Sequence, residues 1–260
     1  MNTPVSEPRP ADGQTFDIPL ARRPARRRTL VDQVVEAIVA GAARGIILPG
    51  DRIVETEIAL ELKMSRVPVR EALRLLESQG LVVSSPYKGV RLNPVTRARL
   101  DQLSEVRVAL EKAAARRAVM LGRNKGSALG ALERKTDELE RMAARQDTYG
   151  IASADAAFHR ELCRLSENEV LCSVWETLAR QLTIIVGLST LSKPMDGIVA
   201  EHRALLSAFS RGRLSELDRA LEEHIRIQND ALDFEAIIEE RRRQRDDQKV
   251  LDAPPRNGAA

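Results

Sequence analysis

Between Lys63 and Gly80 the chain reads KMSRVPVREALRLLESQG. Val69, Ala72, Leu73 and Leu76 recur at i, i+3, i+4 and i+7, which puts one apolar stripe along a helix. Ser65 is a residue type that caps helix N-termini. Pro68 falls in the first turn, where a missing N–H costs nothing. Gly80 suits the position just past the C-terminus. Arg66, Arg70 and Arg74 follow at i, i+4 and i+8 on a different face. A short helix buried along one side, with arginines projecting from its N-terminal half, has the shape and charge to enter a major groove. An ordinary surface helix with a solvated arginine face would show the same spacing.

The flanks favour the first reading. Leu30, Val34, Val35, Ile38, Val39 and Ala42 form an earlier amphipathic helix closed by Gly45. LPGDRI, from Leu48 to Ile53, reads as a turn. A second short helix carries Ile58, Ala59 and Leu62, and Lys63 to Ser65 make a tight connection into the arginine helix. Leu81 to Val83 and Val90 to Leu92 then flank a turn containing Pro86 and Gly89, which reads as a β-hairpin. The expected unit, residues 29–95, is a winged helix-turn-helix, with Lys88 and Gly89 at the wing tip near a phosphate or a minor groove.

These residues resemble the DNA-binding domain of GntR-type bacterial transcription regulators. The run SRVPVREALRLLESQGLV, followed by a wing ending Lys-Gly-Val, carries the resemblance. It implies double-stranded operator DNA as partner, contacted by Ser65, Arg66 and Arg70 from the recognition helix and by Lys88 and Gly89 from the wing. Relatives often carry an arginine near the start of the second helix, where this chain has Thr56.

The remaining chain sets different constraints. A length of 260 residues fits two domains. Aromatic residues make up only 3%, so the cores are aliphatic, and a net charge of +3 confines any basic surface to patches. Two cysteines, Cys163 and Cys172, give no disulfide framework and fit a reducing cytoplasm. No apolar run reaches the roughly 18–20 residues that a membrane span requires, and the first residues carry no apolar signal core. Residues 1–28 are rich in Pro and Arg and read as a disordered tail. Arg22, Arg23, Arg26, Arg27 and Arg28 cluster there, either as an arm on DNA phosphates or as a solubilising segment.

From Pro94 onward the pattern is helical throughout, interrupted at residues 122–126, 146–150, 166–168, 192–197 and 210–213. Six or seven antiparallel helices over 96–238 make an all-α bundle, so the whole chain is mainly α. Residues 239–260 are densely charged and are expected to fray into a disordered tail. The bundle holds all three histidines of the chain, His159, His202 and His224. Asp155 precedes His159 by four residues, so the two share a helix face. Three helices can bring these four side chains to one point, and one carboxylate with three imidazoles suits Zn, Ni or Co. Three unrelated histidines, one of them a core residue with a satisfied ring, is the alternative.

Residues 98–235 resemble the all-α effector domain of the FadR branch of that family, the FCD type. The resemblance rests on an Asp-x-x-x-His pair followed by two lone histidines on later helices. It implies a divalent metal held by Asp155, His159, His202 and His224, with positions left for water or a ligand oxygen. It also implies that Arg107, in EVRVALE, faces the cavity, where a guanidinium can clamp a carboxylate; the alternative is a surface ion pair with Glu111. Asn168 is expected at a helix start, as a cap or as an amide donor to an effector. Cys163 shares the helical face of His159 and reads as buried packing rather than a further ligand; Trp175 and Phe158 read as core. The expected protein is a homodimeric, ligand-responsive regulator, more simply a repressor than an activator, binding a near-palindromic operator and a small organic acid. A metal-dependent hydrolase and a sensor of the metal itself are the competing readings.

Overall fold

A computed structural model describes residues 28–230 and 232–251; the arginine-rich tail expected at the N-terminus lies, apart from Arg28, outside them. The element order is α1 (Leu30–Ala43), β1 (Arg52–Ile53), α2 (Glu55–Glu61), α3 (Arg66–Ser78), β2 (Val82–Ser85), β3 (Gly89–Leu92) and then α4 (Arg97–Met120), α5 (Gly126–Ala144), α6 (Thr148–Leu165), α7 (Glu169–Ser189), α8 (Met195–Arg211), α9 (Leu214–Asp230) and α10 (Phe234–Leu251).

Local chemistry sets the first helices. Thr29 and Asp32 form a reciprocal capping box at the start of α1. At the start of α3, Ser65 occupies the cap position with extended backbone, yet its hydroxyl makes no capping bond. The reason lies three residues on: Pro68 stands where the usual capped N–H would be, and proline has none. The stripe expected on α3 is buried as Val69, Ala72, Leu73 and Leu76, and Gly80 closes the helix at φ 69°.

The wing is larger than a hairpin. LPGDRI is not only a turn: Arg52 and Ile53 pair with Arg91 and Val90, giving a three-stranded antiparallel sheet in the order β1-β3-β2. Val82 pairs with Leu92 and Ser85 with Gly89 across the wing itself. At the tip, the Lys88 N–H donates to the Ser85 carbonyl (3.1 Å). Tyr87 sits there at φ 63°, a conformation that favours glycine or asparagine in this turn.

The chain does leave sheet for helix near Pro94, with Thr96 capping α4. One apolar core nevertheless crosses that point. It joins Ile38, Leu48, Leu73 and Leu76 of the winged helix to Leu100 and Leu103 of α4, Ile184, Ile185 and Leu188 of α7, and Phe234 and Ile238 of α10. The bundle builds a second core around Phe158, Leu162, Ile198, Phe209 and Leu221. Residues 239–251 are not a frayed tail. They continue α10, whose Arg242 donates to the Pro49 carbonyl (2.7 Å) and whose Arg245 pairs with Asp51 in the α1–β1 loop. Residues 252–260 lie outside the described residues. One described helix, α7, is long and apolar enough to cross a membrane, but half of its apolar window is buried within the protein.

A candidate metal centre and a candidate DNA interface

Three bundle helices deliver the candidate ligands. α6 contributes Asp155 and His159 one turn apart, α8 contributes His202 and α9 contributes His224. One ligand atom from each of the four lies within 4.8 Å of the others, and all four residues are buried. The apolar positions that turn these helices inward, Ile151, Phe158, Leu162, Ile198, Leu205 and Leu221, belong to the second core. The amphipathic pattern that folds the bundle therefore also brings the polar set together.

The outer hydrogen bonds fix two of the three imidazoles. His159 places Nδ1 2.7 Å from Glu111 Oε2, and a carboxylate in that setting accepts, so Nδ1 carries the proton and Nε2 faces inward with its lone pair. His202 places Nδ1 2.8 Å from the Ile198 carbonyl, which again accepts, leaving a bare Nε2 that lies 3.2 Å from Asp155 Oδ1 without hydrogen-bond alignment. Two lone-pair nitrogens and a carboxylate thus converge in a dry site. Such an arrangement repels itself unless a proton or a cation stands among the donors, and the residues present suit a divalent ion.

The protonation tendencies agree. Burial alone would raise the Asp155 carboxyl, but the neighbouring His202 and His159 outweigh it and hold the group well below the usual carboxylate range. Burial lowers His159, Arg107 lowers it further, and Glu111 only partly restores it. Burial and the other two histidines push His224 well below an ordinary imidazole. Neutral imidazole is the metal-ligating form.

Glu111 emerges only with the structure. It is fully buried and accepts from Arg107 Nε (2.7 Å), Trp175 Nε1 (3.0 Å) and His159 Nδ1 (2.7 Å). Burial would raise its carboxyl, yet Arg107 and His159 hold it well below the usual range. Both sequence alternatives for Arg107 are therefore partly realised: it pairs with Glu111 at i+4, but inside the bundle and not at the surface. The only available signal was that i, i+4 spacing, which surface pairs share. Trp175, expected as core, is core and also holds this carboxylate. Asn168 caps α7 through a bond from the Leu171 N–H (3.1 Å), and no described contact links it to the histidines. Cys163 packs against Trp175 and Ala114, and burial pushes its thiol up, away from the thiolate form a metal needs.

The other expected site is on the surface. Arg66 and Arg70 project from the first turns of α3, and Lys88 and Gly89 lie at the wing. Both arginines reach the same partner, Glu55 Oε2 at the start of α2, at 3.3 Å each. Glu55 had no sequence signal beyond its place at a helix start. Tyr87, fully exposed beside Lys88, is a second residue that sequence reasoning left in the turn. Gly89 has φ 75°, and a Cβ there would meet the Arg52 guanidinium at 3.1 Å, so that position favours glycine.

A winged helix-turn-helix fused to an all-α bundle with an inward polar cluster defines a two-part DNA-binding regulator. Residues 30–92 match the family described as "Bacterial regulatory proteins, gntR family", and residues 102–227 match the FCD domain. The chain is 30% identical, over 76% of its length and 87% of the relative's, to the "Probable D-xylose utilization operon transcriptional repressor" of Paenarthrobacter nicotinovorans. It is 25% identical to the HTH-type transcriptional repressor RspR of Escherichia coli, over 69% of this chain and 78% of that one. Among solved structures, E. coli McbR/YncC matches with a TM-score of 0.65 at 22% identity, covering 76% of this chain and 94% of that one, a likeness of fold. The protein belongs to the GntR family of transcriptional regulators, in the branch with an FCD effector domain.

Proposed function

We propose that this regulator is a repressor in which a winged-helix unit, residues 29–95, binds a near-palindromic operator and a bundle unit from residue 96 holds a divalent ion and a small carboxylate effector. The observation that carries the reading is the convergence of Asp155, His159, His202 and His224 in a buried site, with two imidazoles preset to offer lone pairs. Zinc fits the donor set best, with nickel or cobalt as substitutes. The ion supplies a local positive charge, and Arg107 stands beside the same cluster as the second cation a carboxylate would meet. Ser65, Arg66, Arg70, Lys88 and Gly89 meet DNA. Asn168 belongs to the effector's surroundings only if α7 shifts its cap. Repression follows the printed names of two relatives. A homodimer follows from the reach of one recognition helix, which reads few base pairs alone. The reading assigns no catalysis and places the protein with its DNA in the cytoplasm.

The test uses untagged full-length protein. Elemental analysis should find about one divalent ion per chain. An ion at 100 times its Kd should add about 2.7 kcal/mol to stability, a rise that His202→Ala should abolish. Small organic acids are then screened by thermal shift on the loaded protein, and hits are repeated on Arg107→Ala. A wild type whose melting ignores added zinc and nickel sinks the metal reading. A bound acid indifferent to both substitutions sinks the effector site.

A further inference from the structure

His159 and His202 each have an outer partner that fixes the proton away from the cluster; His224 does not. Its Nε2 lies 3.1 Å from the bare Nε2 of His159, so the proton between them sits on His224 Nε2. That leaves His224 Nδ1 bare, and this buried nitrogen has no hydrogen-bond partner. Glu201 Oε2 lies 4.0 Å away, equally buried and equally without a partner. The distance is what two acceptors keep between them. Glu201 Oε1 is occupied by the ammonium of Lys193 in the α7–α8 connection, so the carboxylate is anchored and its second oxygen is aimed at His224.

We propose that Glu201 is the positioning residue for His224, the acceptor that stabilises the Nδ1–H tautomer which ion binding at Nε2 demands. This rests on the metal reading above. With an ion held among the four ligands, His224 Nε2 would have to offer its lone pair, and the single ring proton would sit on Nδ1 instead. On that nitrogen it meets Glu201 Oε2, and two buried, unpartnered acceptors become one hydrogen bond. His224 is then the ligand set by loading, whereas His159 and His202 are set by folding. The Lys193 pair carries the change to the connection whose Leu191 side chain approaches Gly45 at the end of α1.

The experiment compares full-length wild type, Glu201→Ala and Glu201→Gln. Zinc affinity is read by competition with a chromophoric chelator, and tautomers by nitrogen-15 NMR of histidine-labelled protein. Loading should move the His224 proton from Nε2 to Nδ1 in the wild type. Glu201→Ala should weaken zinc by about 10–100-fold, the usual effect of removing an outer carboxylate. Glu201→Gln keeps an acceptor oxygen in place and should recover part of the loss. The unloaded melting temperature of Glu201→Gln should fall only slightly below wild type, since the change weakens the part-exposed Lys193 pair and removes no bond at Oε2. Wild-type zinc affinity in Glu201→Ala overturns the assignment while leaving the metal site intact. Retention of the Nε2–H tautomer in the zinc-loaded wild type overturns it too, without needing any variant to fold. A wild type that takes no zinc overturns both readings.

Discussion

Of the glutamates that grip arginines in this protein, Glu111 and Glu55 do so under opposite conditions. Glu111 is wholly buried and accepts three bonds at 2.7–3.0 Å, one of them from Arg107. Glu55 is a quarter exposed and holds Arg66 and Arg70 at 3.3 Å each, with both guanidiniums more than half in water. Exposed pairs contribute about 0–1 kcal/mol, because water and salt screen them. A buried pair is different: removing one partner strands the other charge at a cost of about 3–5 kcal/mol. The first pair is a commitment of the fold. The second is an exposed arrangement that a competing anion could displace, and it holds two guanidiniums on one carboxylate of α2.

The contrast breaks most visibly at Glu111. Glu111→Ala should cost about 3–5 kcal/mol of bundle stability by taking the carboxylate partner away from buried Arg107. Urea unfolding followed by the fluorescence of Trp175, the single tryptophan of the chain, reads this directly. A loss below 1 kcal/mol would mean that the carboxylate is dispensable. Acid tests the same region without a mutation. Unfolded imidazoles protonate near pH 6.5, whereas buried His159 and His224 stay neutral to lower pH. The unfolded state then binds more protons, so stability is present above about pH 6.5 and falls as pH drops below it. Asp155 and Glu111 add the same sign at more acid pH, since their folded values are depressed. His159 and His224 both lie in the bundle, so the urea midpoint read from Trp175 should fall between pH 7.5 and 5.5. An unchanged midpoint would contradict the buried neutral imidazoles.

The surface pair should show the reverse pattern. Arg70→Ala should weaken operator binding by about 1–3 kcal/mol if it reads a base, or lower the salt slope by about one if it meets phosphate. Titrations at several salt concentrations separate these, and wild-type affinity in both Arg66→Ala and Arg70→Ala would end the assignment. The smallest effect is expected from Glu55→Gln, with folding stability within about 1 kcal/mol of wild type. A larger loss on denaturation would show that this pair, too, is part of the fold.

The recognition helix was legible because its evidence is local: period, cap, proline and closing glycine all lie within α3 and its ends. The four candidate ligands were legible because histidine is scarce and one Asp-x-x-x-His spacing repeats a helical turn. Glu111 was not, since an Arg and a Glu at i, i+4 look alike on a wet face and in a core. The two-residue strand β1 has too few residues to show alternation. The docking of α10 was hidden by its own composition: residues 239–248 are almost wholly charged, and the partner of Arg245 is Asp51, far back along the chain. Only Phe234 and Ile238, one turn apart, announced an apolar side.

The helix α7 touches both ends of the molecule's task. Trp175 holds Glu111 beneath the candidate metal centre, while Arg180 and Gln181 bond to the side chain and the carbonyl of Gln79, the C-cap of α3 just before Gly80 (2.9 and 2.7 Å). These attachments are five and six residues apart, roughly 9 Å of rigid helix. Farther along, Gly187 passes so close to α1 that a Cβ would meet the Ala43 carbonyl at 2.6 Å, which leaves no slack at the crossing. α7 is thus one continuous member fastened at three places: to the carboxylate beneath the histidines, to the end of α3 and to the end of α1.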